Sequence, residues 1–212
     1  MTTAVPTITD PLSQQALPDD VTALFESGRN LARLTLDQYH GLVAAGVLDA
    51  SSRMELLDGL LVEKMPKSPL HTAIATRFLQ ILYGLKLPNT FIGSERPITL
   101  TSENSEPESD IAIIRGSNDD FLTDHPTAAD VLLLIEIANT SLRKDQRNVP
   151  RFAAAGVPRL VVVDVVAETM TLHEQPTAEG YGRVESVDAF DILMNGRSLG
   201  TIHAADVFPP AK

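Results

Sequence analysis

The sequence predicts an α/β fold in which a mixed central sheet is flanked by helices, within one domain over residues 31–209. The main observation is a set of three short runs of Val, Ile and Leu, each about as long as a strand. Such runs are typical of a sheet that is covered on both faces. A stretch with helical spacing of apolar residues and an Asp-Gly pair between two apolar runs add a helix and a hairpin. The three runs are 110–114, 131–137 and 160–165.

The composition limits the classes of function. The net charge of −11, from 28 acidic and 17 basic residues, argues against a protein that coats nucleic acid by charge alone. It is compatible with a DNA enzyme, because a local basic groove or a bound divalent metal reverses the charge near a carboxylate cluster. The absence of cysteine excludes disulfides and thiolate nucleophiles and makes a reducing cytoplasm the simplest setting. No apolar run reaches the roughly 18 residues that a membrane span needs.

The N-terminal part is expected to contain a tail and then the first helix. Residues 1–30 are rich in Pro, Thr, Asp and Gln, so we expect loose order there, with one short helix over 20–26. The chain starts without a basic segment followed by an apolar run, and no secretory signal is expected. Thr35 and Gln38 form a capping-box pair that predicts the start of a helix, and Gly46 is suited to end it.

The next predicted element is a β-hairpin over residues 54–63. Asp58-Gly59 lies between two short apolar runs, and this dipeptide is typical of a type I′ turn. An alternative is a second capping box formed by Ser52 and Glu55. The hairpin is preferred because the flanking runs are short and Gly59 would interrupt a helix.

A helix over residues 69–85 follows. Pro69 suits its first turn, and Pro88 prevents its continuation. Apolar residues three and four positions apart form one stripe along this helix. The stripe consists of Ile74, Phe78, Leu82 and Leu85.

The rest of the chain alternates between extended segments and loops. Extended segments are predicted over 91–94 and 98–101, and the polar residues 102–109 are expected to form a loop. A short crossover helix is predicted within 145–156, and edge strands and turns are predicted over 168–205.

Asp110 and Glu136 are the unusual residues of the apolar runs. An acid in a buried strand must be hydrogen-bonded, paired, metal-bound or exposed, because an unpaired buried charge is costly. Two such acids on neighbouring strands are able to converge at one edge of the sheet. Carboxylate oxygens are the ligands that Mg²⁺ and Mn²⁺ prefer. A simple strand-end acid at position 110 and a salt-bridge partner at position 136 remain the alternatives.

Seven segments of the sequence, taken in order, form a pattern that none of the short motifs shows alone. They are 33–40, 53–63, 68–71, 106–114, 136–142, 152–158 and 161–164. This ordered set resembles the Uma-type putative restriction endonuclease family of the PD-(D/E)xK nuclease superfamily. The resemblance extends over about residues 31–209 and implies a restriction-endonuclease-like fold.

The resemblance also implies a metal-dependent reaction. Glu55, Asp110 and Glu136 match the family's acids and would bind Mg²⁺ or Mn²⁺. The implied activity is hydrolysis of DNA phosphodiester bonds. A homodimer is plausible for this reaction, since a two-fold pair is suited to cutting both strands of a duplex.

The chain departs from the family at the catalytic lysine. The position two residues after the Glu is Ala138, and the displaced position of the family, four residues before an aromatic, is Asn148. One of the nearby cations, Lys144 or Arg147, would replace the lysine, and Asn148 is the less favoured candidate for this catalytic role. The alternative roles are solvated helix residues for these two cations and a plain N-cap for Asn148.

Three hypotheses therefore follow from the sequence. The first is a Mg²⁺-dependent DNA endonuclease, and the second is a weakened or inactive nuclease fold kept as a DNA-binding or regulatory module. The third is a small-molecule-binding α/β protein, which a deep apolar pocket away from Asp110 would favour. His71 matches a family position, and a packed or capping role is expected for it, with a proton shuttle or a substrate contact as the alternative.

Overall fold

The computed structural model describes residues 32–49, 51–138 and 148–208. The described residues from Leu34 onward belong to one compact unit. The tail predicted over 1–30, with its short helix over 20–26, lies outside the described residues, so the domain boundary stays a prediction. None of the described helices has the length and hydrophobicity needed to span a membrane.

The described residues contain four α-helices and ten strands. The helices are α1 (Leu36–Ala44), α2 (Pro69–Leu85), α3 (Val149–Ala154) and α4 (Ala204–Val207). The first five strands are β1 (Met54–Leu57), β2 (Leu60–Glu63), β3 (Thr90–Pro97), β4 (Glu108–Arg115) and β5 (Val131–Ala138). The other five are β6 (Arg159–Asp164), β7 (Thr169–Thr177), β8 (Gly180–Val187), β9 (Ala189–Met194) and β10 (Arg197–His203).

The central sheet has six strands in the order β3-β4-β5-β6-β7-β8. Strands β5 and β6 run parallel, and the other neighbouring pairs run antiparallel. Two antiparallel pairs, β1-β2 and β9-β10, lie outside this sheet. The prediction of an α/β fold with a mixed central sheet is confirmed.

Two hydrophobic clusters cover the two faces of the sheet, because alternate residues of a strand point to opposite sides. Ile111 and Ile113 belong to the cluster that includes Phe78 of α2. Ala112 and Ile114 belong to the cluster that includes Phe152 of α3. The three apolar runs are therefore strands buried on both sides, which explains their composition.

Local sequence signals determine where α1 and α2 begin and where the hairpin turns. The side chain of Thr35 accepts a hydrogen bond from the backbone N–H of Gln38, which completes the predicted capping box of α1. Ser68 caps α2 in the same way by accepting from the N–H of His71. In the hairpin turn, Asp58 and Gly59 have φ values of 50° and 77°, as a type I′ turn requires.

Two boundaries differ from the prediction. Strand β4 begins at Glu108, so Asp110 is its third residue and not its first. The polar residues Glu108 and Ser109 join the strand because they pair with Pro97 and Arg96 of β3. The segment predicted as extended over 98–101 forms only isolated bridges at Thr99 and Leu100 before a 3-10 turn begins.

Candidate active site

Strands β4 and β5 place Asp110 and Glu136 beside each other. Ile111 pairs with Ile135 in antiparallel register, so the next residues along the two strands are Asp110 and Glu136. The backbone N–H of Ile137 donates to Asp110 Oδ2 over 2.8 Å. The two acids that the sequence singles out therefore lie on adjacent strands in the middle of the sheet.

Asp110 is held by the segment around the start of α2. Lys67 Nζ lies 2.8 Å from Asp110 Oδ1, and His71 Nε2 lies 3.0 Å from Oδ2. The Asp110 side chain is only 12% exposed. Burial alone would raise the pKa of Asp110, but the hydrogen bonds and charges of His71 and Lys67 outweigh burial and hold the pKa below its ordinary value. Asp110 is therefore an anion at neutral pH.

The surroundings of Glu136 favour its protonated form, in contrast to those of Asp110. Burial raises its pKa well above the ordinary value, and the negative charges of Asp110 and Glu55 raise it further. A hydrogen bond from Ser109 and the charge of Lys67 only partly oppose this rise. The residue as a whole keeps some exposed surface, but its Oε1 is shielded from solvent and has no hydrogen-bond partner among the described residues. Glu136 is thus a carboxylate without sufficient counter-charge.

Glu55 of β1 is the third acid of this region. Its Oε2 accepts a hydrogen bond of 3.1 Å from the backbone N–H of Glu108. Burial is the largest cause that raises the pKa of Glu55, and the charges of Lys64 and Arg151 oppose it. Within the part of the chain that the structure describes, no group of three or more His, Asp and Glu side chains is arranged to hold a metal ion.

A small cavity with three basic side chains lies next to these acids. Its volume is about 360 Å³. Lys67 also contacts Glu95 Oε1 at 3.2 Å, and Lys64 is paired with Glu108. The residues that line the cavity are Arg53, Lys64, Met65, Lys67, Glu95 and Glu108.

The candidates for the missing lysine fall in different places. Ala138 is the last residue of β5 and carries only a methyl group. Asn148 is the N-cap residue of α3, but its side chain does not cap the helix. Its Oδ1 instead accepts a hydrogen bond of 3.0 Å from Arg151 Nη1. Lys144 and Arg147 lie outside the described residues.

Arg151 connects α3 to the hairpin that carries Glu55. It donates from two nitrogens to the carboxylate of Asp58, and the distance from Nε to Oδ1 is 2.8 Å. Asp58 and Gly59 form the turn between β1 and β2, so this ion pair fixes the hairpin against α3. Glu55 lies three residues before Asp58 and is positioned by the same contact.

The sequence did not indicate Lys67, and for His71 it favoured a packed or capping role over a proton shuttle or a substrate contact. His71 is buried, and its backbone N–H donates to Ser68 Oγ, yet its ring also binds Asp110. The one indication in the sequence was the position of these residues at the start of α2. The apolar stripe of α2 must face the sheet, so residues at the start of that helix lie near the sheet as well. Nothing in the sequence showed which acid they would meet.

A larger, open groove of about 1340 Å³ runs along β3, the edge strand of the sheet. Aromatic side chains such as Tyr83 and Phe91 line it together with polar ones such as His40 and Glu106. Its walls therefore combine apolar and polar side chains, and the small-molecule-binding alternative stays a prediction.

Comparison with known proteins agrees with this architecture. The model of the Uma2 family, described as "Putative restriction endonuclease", matches residues 36–204. No curated protein matches the chain. The crystal structure of a putative nuclease belonging to DUF820 from Anabaena variabilis ATCC 29413 covers 82% of this chain and 97% of its own length, with a TM-score of 0.61 and 18% identity. This likeness concerns the fold. The family match spans most of the sequence, and the chain therefore belongs to the Uma2 family of restriction-endonuclease-like proteins.

Proposed function

We propose that this protein is a divalent-metal-dependent endonuclease that hydrolyses phosphodiester bonds in DNA. The Uma2 family supports a nuclease. The observation that carries the proposal is the position of Glu136, a shielded carboxylate without sufficient counter-charge beside the ionised Asp110. Two neighbouring carboxylates that are shielded from solvent repel each other, and this is unfavourable unless a proton or a cation is bound.

The donor set fits a hard divalent cation. Glu55, Asp110 and Glu136 offer carboxylate oxygens, which suit Mg²⁺ or Mn²⁺. The unpartnered Oε1 of Glu136 is the atom that most needs a cation. When bound, such an ion supplies Lewis-acid chemistry, in that it acidifies a water molecule and neutralises charge on a phosphate.

The residues of the chain have separate roles in this proposal. His71 and the N–H of Ile137 fix one oxygen of Asp110, which keeps that carboxylate oriented. Asp110 and Glu136 would hold the ion, and Glu136 would turn its unpartnered oxygen toward it, because the described acids are not already arranged as a metal site. In the net reaction, water adds to phosphorus, one P–O ester bond breaks, and the leaving oxygen takes up a proton.

Phosphate recognition is local in this proposal. The net charge of −11 disfavours long-range attraction to DNA, so the basic side chains beside the carboxylates would provide the phosphate contacts. We further propose a cytoplasmic homodimer that places two such sites on the two strands of a duplex. Light scattering of the purified protein measures the oligomeric state, and a mass of one chain would exclude the dimer.

One observation favours a second candidate function. The position two residues after Glu136 is Ala138, which carries neither charge nor hydrogen-bonding group. A nuclease fold without this cation is also compatible with a weakened or inactive DNA-binding or regulatory module. The two candidates differ in whether DNA is cut.

The deciding experiment is a plasmid-nicking assay with Mg²⁺ and with Mn²⁺. We expect the wild type to nick DNA and Asp110→Asn to lose at least about 100-fold in rate, since even outer-shell partners of metal ligands contribute about 10- to 100-fold. The matched control is Asp119→Asn, the same chemical change at an exposed position, which should cut like the wild type. DNA binding without nicking in either metal would favour the inactive module.

A further inference from the structure

The site lacks a cation where the superfamily has its lysine. Ala138 occupies that position on β5. Asn148, the displaced position of the family, is neutral, and its side-chain oxygen is engaged by Arg151. Among the described residues, which do not include Lys144 and Arg147, a positive charge near Asp110 therefore comes from another part of the fold.

Lys67 provides a positive charge at this place from a different element. Its Nζ lies 2.8 Å from Asp110 Oδ1 and 3.2 Å from Glu95 Oε1. Both contacts are ion pairs between the ammonium group and a carboxylate. The Lys67 side chain is still 34% exposed, so a ligand is able to reach it.

The backbone next to Lys67 is held at the start of α2. Ser68 caps this helix and Pro69 occupies its first turn, so the chain that follows Lys67 is fixed. Buried side chains such as Phe78 fix the helix to the sheet. On the opposite side, Glu95 adopts φ +50° within β3, a conformation that costs a non-glycine residue about 1 kcal/mol or more.

The surroundings of Lys67 suit a phosphate group. The cavity of about 360 Å³ contains three basic side chains against two acids. Lys64 is already paired with Glu108, whereas Lys67 is the basic side chain of this cavity that contacts a candidate metal ligand directly. A lysine ammonium is a compact point charge with three donors, suited to bind a phosphate oxygen.

We propose that Lys67 takes the place of the missing catalytic lysine and binds the scissile phosphate of the DNA. This inference rests on the proposed nuclease function and names the cation of the same site. Without substrate, Lys67 neutralises Asp110. With DNA bound, its ammonium group moves from the carboxylate to the phosphate oxygen and steadies the negative charge that develops there.

If Lys67 moves from Asp110 to the phosphate, replacing Lys67 should slow DNA cleavage and strengthen Mn²⁺ binding. Lys67→Met removes the phosphate contact, so the cleavage rate should fall by about 100-fold, as for loss of one transition-state donor. The same change removes the cation that competes with a metal ion for Asp110. Mn²⁺ should therefore bind about fivefold more tightly, the size expected for losing one partly exposed ion pair. A purely structural role for Lys67 would weaken both.

The experiment compares Lys67→Met with Lys86→Met in the full-length protein. Lys86 is the C-cap residue at the other end of α2, a helix of 17 residues that is about 25 Å long. Its substitution should leave both measurements within about twofold of wild type. Mn²⁺ affinity is measured by titration calorimetry without DNA, cleavage by plasmid nicking, and folding of each variant by circular dichroism.

The outcomes separate this inference from the function on which it rests. Slower cleavage with tighter Mn²⁺ binding supports it. Cleavage by Lys67→Met at the wild-type rate, or weaker Mn²⁺ binding by the folded variant, overturns it while the nuclease function stands. A wild-type protein that cuts no DNA in Mg²⁺ or Mn²⁺ removes the nuclease function and, with it, the basis for this role of Lys67.

Discussion

At the scale of single residues, the two central acids have opposite protonation tendencies although they lie on adjacent strands. Asp110 has basic partners on both oxygens, whereas Glu136 has an unpartnered, shielded oxygen. Environments that push neighbouring pKa values apart are typical of functional sites. Both acids stand out in the sequence, because Asp110 opens one apolar run and Glu136 interrupts another. The partners Lys67 and His71 were not, since they lie 43 and 39 positions away from Asp110.

The charge on Glu136 should destabilise the metal-free protein. Its raised pKa means that the folded state binds the proton more tightly than the unfolded chain, so stability declines as the pH rises above the ordinary value of 4.5. Glu136→Gln should therefore raise the free energy of unfolding by about 1 kcal/mol at pH 7.5 in EDTA, and should abolish cleavage.

Urea unfolding at pH 7.5 and at pH 4 measures this effect, which should shrink at the lower pH because both states are then largely protonated. Glu63→Gln, at an exposed position of β2, is the matched control and should change stability little. Equal or lower stability of Glu136→Gln at pH 7.5 would contradict the assignment of an uncompensated charge.

At the scale of elements, the parts predicted best are those whose ends depend on neighbouring residues alone. Helix α2 has the predicted bounds because Ser68 and Pro69 at its start are local signals. The beginning of β4 was predicted two residues late, since Glu108 and Ser109 look like loop residues until their pairing with β3 is known. Strand boundaries depend on partners distant in sequence, which single-sequence patterns do not contain.

Replacement by alanine should change the free energy of unfolding in opposite directions at Gly59 and at Gly84. Gly59 has φ +77° in the hairpin turn, so Gly59→Ala should lower the free energy of unfolding by about 1–2 kcal/mol. Gly84 lies within α2 with open space around it, and Gly84→Ala should raise stability by about 0.5 kcal/mol. Thermal unfolding of both variants measures the difference, and destabilisation by both would contradict the conformational argument.

Strand β7 carries a buried histidine that should make the protein sensitive to acid. His173 pairs with Leu160 and Val184 on the neighbouring strands and meets the ring of Tyr181 edge-on. Neither ring nitrogen has a hydrogen-bond partner among the described residues, and burial lowers the pKa of His173. The unfolded chain therefore binds a proton more readily, and stability is lost as the pH falls below the ordinary value of 6.5.

Replacing this side chain should reduce the acid sensitivity. Between pH 7 and pH 5, His173→Leu should lose less stability than the wild type, by up to about 1.4 kcal/mol per pH unit. Urea midpoints at the two pH values provide the measurement. His203→Leu, at an exposed position of β10, should keep the wild-type pH dependence, and an unchanged slope in His173→Leu would refute the prediction.

At the scale of the whole molecule, metal binding should be coupled to folding. An ion that binds the native carboxylates and not the unfolded chain stabilises the native state, by about 2.7 kcal/mol at a concentration of 100 times the Kd. We expect Mn²⁺ to raise the Tm relative to EDTA in the wild type and not in Asp110→Asn. A Tm that is the same in Mn²⁺ and EDTA would count against a metal site.

The turn at Asp58-Gly59 has a practical consequence for handling this protein. Gly59 exchanges backbone hydrogen bonds with Leu34 and Asn104, and Asp58 is tied to Arg151. Adding even one residue there would uncouple three distant parts of the chain. In the tight turn between β7 and β8, which contains the exposed Glu179, Thr177 and Glu179 form side-chain hydrogen bonds within the turn itself. An affinity tag or a fluorescent reporter is therefore best grafted at that turn and kept away from the first hairpin.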